Sequence, residues 1–131
     1  MKVDHIAIAV KNIDDVRELW AKLLKMDTPE IHTLKERGVH ACAYRLDNLM
    51  IELVQPIDES SPIWKFVHEK GGGLHHVALQ TEDINSEIEY GKSNGFKFIG
   101  DKAVEGLDKT KIIFLHPKTL GTLVELVQPT E

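Results

Sequence analysis

Two histidines and two glutamates, His5, Glu52, His76 and Glu125, hold equivalent places in two similar stretches of this chain. Asp4-His5-Ile6-Ala7-Ile8-Ala9-Val10 parallels His75-His76-Val77-Ala78-Leu79-Gln80-Thr81. Ile51-Glu52-Leu53-Val54-Gln55-Pro56 nearly repeats as Val124-Glu125-Leu126-Val127-Gln128-Pro129. The spacing from His5 to His76 and that from Glu52 to Glu125 agree to within two residues. Matches at both ends, in order, mark a duplicated module. Taken singly, a histidine opening a strand is ordinarily structural or exposed, and a strand glutamate ordinarily faces water. Taken together they read differently. A carboxylate inside an apolar strand is costly to bury without compensation. Two of them at equivalent positions ask for a common partner. Two imidazoles and two carboxylates suit one divalent ion of cobalt, zinc, nickel, manganese or iron. Six-coordination by four protein ligands leaves two adjacent positions for a chelating substrate.

The elements that must carry these residues follow from periodicity. In a strand, alternate residues share a face, so His5 lies with Ala7 and Ala9, and His76 with Ala78 and Gln80. The small residues keep that face open, while Ile6, Ile8 and Val10 turn toward the helices. A first helix starts after Asn12 and shows Ile13, Val16, Leu19, Trp20, Leu23 and Leu24 at helical spacing. A second starts after Asp83, places Ile84, Ile88 and Gly91 inward, and stops at Gly95. Further strands are predicted over Val39–Leu46, Leu49–Val54, Lys97–Ile99, Lys111–Leu115 and Leu123–Val127. Asp47-Asn48 and Leu120-Gly121 stand where hairpin turns are needed. Between the halves, Ser61 is the expected cap and Pro62 the first residue of a short helix through His68. Gly71-Gly72-Gly73 ends that helix; a strand follows it, which argues against a phosphate loop. The expected architecture is α+β: two tandem βαβββ modules forming a curved mixed sheet around a metal-containing cleft. One domain spans 1–131, with module 1 at about 1–57, the connector at 58–73 and module 2 at 74–131.

Composition narrows the function. A chain of 131 residues with 42% hydrophobic and 28% charged residues can build one packed core. A net charge of −5 without a basic stripe argues against nucleic acid as partner. No apolar stretch is long enough to span a bilayer. The single cysteine, Cys42, permits no intrachain disulfide and reads as core filler. A cytoplasmic location is expected, since the first strand pattern leaves no room for a targeting peptide. His75, aligned with Asp4, is read as facing away from the ligand side. His32, His40, His68 and His116 are assigned solvated or packing roles.

At these residues the chain resembles the vicinal oxygen chelate superfamily, and within it the methylmalonyl-CoA epimerase family. The resemblance runs from Val3 to Gln128. Its specific pieces are Asp4-His5-Ile6, Ile51-Glu52-Leu53 with Pro56, Ser61-Pro62-Ile63 and Gly73-Leu74-His75-His76-Val77-Ala78. Phe114-Leu115-His116-Pro117-Lys118 and Val124-Glu125-Leu126 complete them. The resemblance implies His5, Glu52, His76 and Glu125 as metal ligands; the family has Gln or Glu at the Glu52 position. It implies Glu36 as a second catalytic carboxylate, opposite Glu125, so that protons leave and return on opposite faces of a thioester α-carbon. Each base would then need a pKa raised toward working pH by burial. It also implies cobalt as the first choice of metal (with zinc, nickel, manganese and magnesium behind it), an acyl-CoA substrate and a homodimer. The segment from Val104 to Lys111 departs from the family's glycine-rich turn. Two other readings compete: a glyoxalase I type lactoylglutathione lyase, and a ligand-sequestering protein without turnover.

Overall fold

Alternation of apolar and polar residues starts the first strand, and the computed structural model, which describes residues 1–130, carries it as β1 (Lys2–Ala9). After it come α1 (Ile13–Leu24), β2 (His32–Leu34), β3 (Val39–Arg45), β4 (Met50–Pro56), α2 (Trp64–Lys70) and β5 (Gly73–Gln80). Then follow α3 (Ile84–Ser93), β6 (Phe98–Glu105), β7 (Lys111–Leu115), α4 (Pro117–Leu120) and β8 (Val124–Gln128). Single 3₁₀ turns cover Lys35–Arg37 and Leu107–Lys109. Each half thus reads βαβββ, as the duplication implies. The chain divides into two compact units, one made of Ile6–His75 and the other of Met1–His5 with the chain from His76 onward. β1 begins in one unit and continues in the other.

In the unit of Ile6–His75 the strands run in the order β2-β3-β4-β1. β3 and β4 form a hairpin through Leu46–Leu49, closed by the Leu46 N–H donating to the Leu49 carbonyl. One face of this sheet packs Cys42, Tyr44 and Leu53 with Ile8 and Val10 against Ile13, Val16 and Ala21 of α1. The other face carries Ala9, Ala41 and Val54, and α2 covers these with Phe66, Val67 and the preceding Ile63. Cys42 is buried there, and desolvation pushes its thiol pKa up, so it stays a protonated packing group. The second unit has the order β1-β5-β8-β7-β6, with β5 parallel to β8 and the β6-β7-β8 pairs antiparallel, which makes the sheet mixed. Ile84 and Ile88 of α3 pack there on Ile113, Leu115, Val124 and Leu126.

Each module fastens its helix in the same way. Asn12 caps α1 by accepting from the Asp14 N–H, and Asp83 caps α3 by accepting from the Ser86 N–H. The first helical N–H is held by a glutamine from the repeated strand: Ile13 N donates to Gln55 Oε1, and Ile84 N to Gln128 Oε1, each at 2.9 Å. The Gln-Pro end of each repeat therefore ties the last strand of a module to its helix start. Removing such an acceptor leaves a helix-terminal donor unmet. Gln55→Ala and Gln128→Ala are each expected to lower stability by about 1 kcal/mol, read from urea unfolding midpoints at unchanged slope.

Several expectations shift. β2 escapes the sequence pattern altogether. β6 extends well past Ile99 to Glu105 because a register shift between Ile99 and Val104 absorbs Gly100. The connector helix begins at Trp64 rather than at Pro62: Ser61–Ile63 form a turn first, with the Trp64 N–H donating to the Ser61 carbonyl. Leu120-Gly121 does lie in the antiparallel β7–β8 connection, which takes the form of α4 ending at Leu120 with Gly121 as its left-handed cap. Gly72 in the helix stop admits no side chain, because a Cβ there would lie 2.6 Å from the Ala9 carbonyl oxygen at φ +78°. Among the described residues no helix is long and apolar enough to cross a membrane.

Candidate metal centre

β1, β5 and β8 bring His5, His76 and Glu125 together. Each side chain sits on a buried position of its strand: His5 is 6% exposed, His76 6% and Glu125 1%. Ala78 supplies the space, since it shares the His76 face of β5 and pairs directly with Glu125 in the parallel β5–β8 register. His5 Nε2 lies 3.0 Å from Glu125 Oε1, His76 Nε2 lies 3.3 Å from the same oxygen, and the two Nε2 atoms are 3.4 Å apart. The Phe114 ring meets the His76 ring edge-on at 5.2 Å. Glu52 holds the matching place in the other module. It is 3% exposed on β4, and its register partner on β3 is Ala43, so an alanine again makes room for a buried carboxylate.

Asp4 completes the first histidine. Its Oδ2 lies 2.7 Å from His5 Nδ1, and its Oδ1 accepts from Gln80 Nε2 at 3.0 Å. The hydrogen bond from His5 holds the Asp4 carboxyl below the usual range. An ionised carboxylate can only accept, so Nδ1 is the donor and Nε2 is the atom turned to Glu125. Burial alone would push Glu125 up; hydrogen bonds and charge from His5 and His76 outweigh it and hold the carboxyl down at about 2. The expectation that burial raises this group is thus overturned: the two imidazoles keep it ionised.

This geometry tests the donor set for a metal. With Nδ1–H held by Asp4, His5 Nε2 meets Glu125 Oε1 through its second proton, and a divalent ion takes the place of that proton among the same donors. Donors about 2.1 Å from one ion stand about 3.0 Å apart at a right angle and about 3.4 Å apart at the tetrahedral angle. The three separations observed fall in that range, and the residues fit a divalent metal.

Glu36 belongs to the unit of Ile6–His75. It is exposed on the Lys35–Arg37 turn, and no pattern in the sequence distinguishes it. The turn itself is pinned. Gly38 ends it at φ +71°, with room for a Cβ closed by Ser61 Cα at 3.2 Å and Pro62 Cδ at 3.3 Å, and its carbonyl accepts from the Ile57 N–H. Four of the other five histidines have structural partners, and His32 is exposed on β2. His75 meets the Phe66 ring edge-on, His68 stacks on Trp64, His40 bonds Thr33 Oγ1, and His116 Nδ1 accepts from the Lys118 N–H. In the atypical segment, Asp108 and Lys109 take the left-handed region (φ 54° and 62°) that glycines ordinarily occupy. The segment therefore takes a glycine-type backbone at two residues that are not glycine, beside its one glycine, Gly106.

Fold and centre define the class. The chain belongs to the Glyoxalase/Bleomycin resistance protein/Dioxygenase superfamily, whose model matches residues 4–114. Members of this superfamily typically bind a divalent metal. Its relatives there include methylmalonyl-CoA epimerases, and it stands in that family. The mitochondrial methylmalonyl-CoA epimerase of Mus musculus is 33% identical over 97% of this chain and 72% of the relative. The ethylmalonyl-CoA/methylmalonyl-CoA epimerase of Cereibacter sphaeroides is 32% identical over 97% of both chains. A single-substitution variant of Streptomyces coelicolor methylmalonyl-CoA epimerase, solved with 2-nitronate-propionyl-CoA, superposes with a TM-score of 0.93 at 26% identity, covering 99% of this chain and 95% of that one.

Proposed function

We propose that this chain interconverts the (R) and (S) forms of methylmalonyl-CoA. The observation that carries the reading is the buried His5–Glu125–His76 cluster in a chain whose relatives are methylmalonyl-CoA epimerases. His5, Glu52, His76 and Glu125 would hold one divalent ion, with cobalt the first choice and zinc, nickel, manganese and magnesium behind it. When bound, the ion supplies Lewis-acid polarisation of the substrate's carboxylate and thioester oxygens. The remaining work belongs to carboxylates. One takes the α-proton, and the C–H electron pair passes into the thioester as an enolate. The other returns a proton to the opposite face, which inverts the centre. Glu125 and Glu36 are assigned these parts, and they exchange roles with the direction of reaction.

The whole chain acts in this reading as one domain, with modules at about 1–57 and 74–131 joined by a connector at 58–73. A homodimer follows from the family, and a reducing, cytoplasmic setting suits the free, buried Cys42. The same scaffold serves other metal isomerases, so the substrate needs a direct test. Metal-loaded protein incubated with methylmalonyl-CoA in D₂O should exchange the α-proton, followed by NMR, and chelated protein should not. Folded, metal-loaded protein that leaves the α-proton untouched would sink this substrate and move the search to glutathione hemithioacetals.

A further inference from the structure

The first histidine is held differently from the second, and the difference lies one residue upstream. Neighbouring strand residues point to opposite faces, yet the Asp4 side chain reaches the ring of His5, with Oδ2 2.7 Å from Nδ1. Gln80, from β5, fixes the other oxygen at 3.0 Å. The equivalent residue in module 2 is His75, whose ring packs edge-on against Phe66 at 5.0 Å. A carboxylate from module 1 and an amide from module 2 thus orient one ring.

We propose that Asp4, held by Gln80, is a positioning residue that locks His5 as the Nδ1–H tautomer and so presents Nε2 to the metal. This rests on the metal reading of the centre. An imidazole alone favours neither orientation nor tautomer strongly enough to define a ligand; a carboxylate on the far nitrogen fixes both and raises the ring's basicity. Gln80 in turn stops Asp4 from rotating away, and its amide can accept only one arrangement of the three side chains. Asp4 touches no reacting atom in this scheme; it acts only through His5.

The test uses the full chain, first metal-free and then titrated with Co²⁺ against a competing chelator. Long-range ¹H–¹⁵N spectra of the metal-free protein should show His5 protonated at Nδ1. Asp4→Ala should release that tautomer and weaken Co²⁺ binding by about 10- to 100-fold, the size of effect typical for such outer partners. Asp4→Asn keeps an acceptor for Nδ1 but loses the charge, so it should preserve the tautomer and restore part of the affinity. Amide spectra of each variant establish that it is folded. An Asp4→Ala protein that retains either the tautomer or the Co²⁺ affinity overturns the inference while the metal reading stands. Wild-type protein that takes up no Co²⁺ overturns both.

Discussion

Glu125→Ala is expected to reduce metal-dependent α-proton exchange by about 10³-fold or more, the upper range for losing a proton-transfer group, because a ligand goes with it. The reason is the double duty of one oxygen. Glu125 Oε1 stands 3.0 Å from His5 Nε2 and 3.3 Å from His76 Nε2, so it is the anion that both imidazoles face. Without it the two nitrogens, 3.4 Å apart, lose the carboxylate oxygen that both of them face. Metal content, measured on the purified variant, should fall together with exchange. Glu125→Gln separates the two duties in part, since the amide keeps an acceptor oxygen and the volume but cannot take a proton. It should recover some metal and almost no exchange. A Glu125→Ala protein within tenfold of the wild-type exchange rate would exclude this residue from both duties.

Glu36→Gln should show the opposite separation: exchange slowed by about 10²- to 10⁴-fold, with metal content unchanged. Glu36 is exposed and lies on a turn whose backbone is fixed by Gly38 against Ser61 and Pro62. An isosteric amide there disturbs neither core nor turn, so loss of activity reports on the carboxylate itself. The readouts are the α-proton exchange rate and metal stoichiometry measured on one preparation. Full exchange in Glu36→Gln would mean that the second proton is delivered by another group, and the assignment of Glu36 would fall.

The duplication made the framework legible. Repeated strands with a histidine near one end and a glutamate near the other led to two βαβββ modules; the alanine face is not open as expected, since Ala7, Ala9 and Ala78 are buried and Ala9 lies under α2. His5, His76 and Glu125 do meet, as the repeat symmetry requires. Short and polar elements were not legible. β2 has only three residues, two of them exposed, and β6 is mostly exposed and interrupted at Gly100, so neither shows a clean alternation. Asp4 was hidden by the strand rule itself, which sends it to the face opposite His5. Gln55 and Gln128 were visible as part of the repeat, but their partners are helix-start amides 42 and 44 residues away, which no local pattern reveals. Glu36 came from family resemblance alone; its surroundings on the turn carry no mark of chemistry.

The proposed reaction requires one metal held by ligands from both modules. Crystals grown with Co²⁺ and measured at its absorption edge would settle it. The predicted result is a single anomalous peak per chain, within coordination distance of His5 Nε2, His76 Nε2 and the carboxylates of Glu52 and Glu125. No peak there, or a peak bound without Glu52, would contradict it.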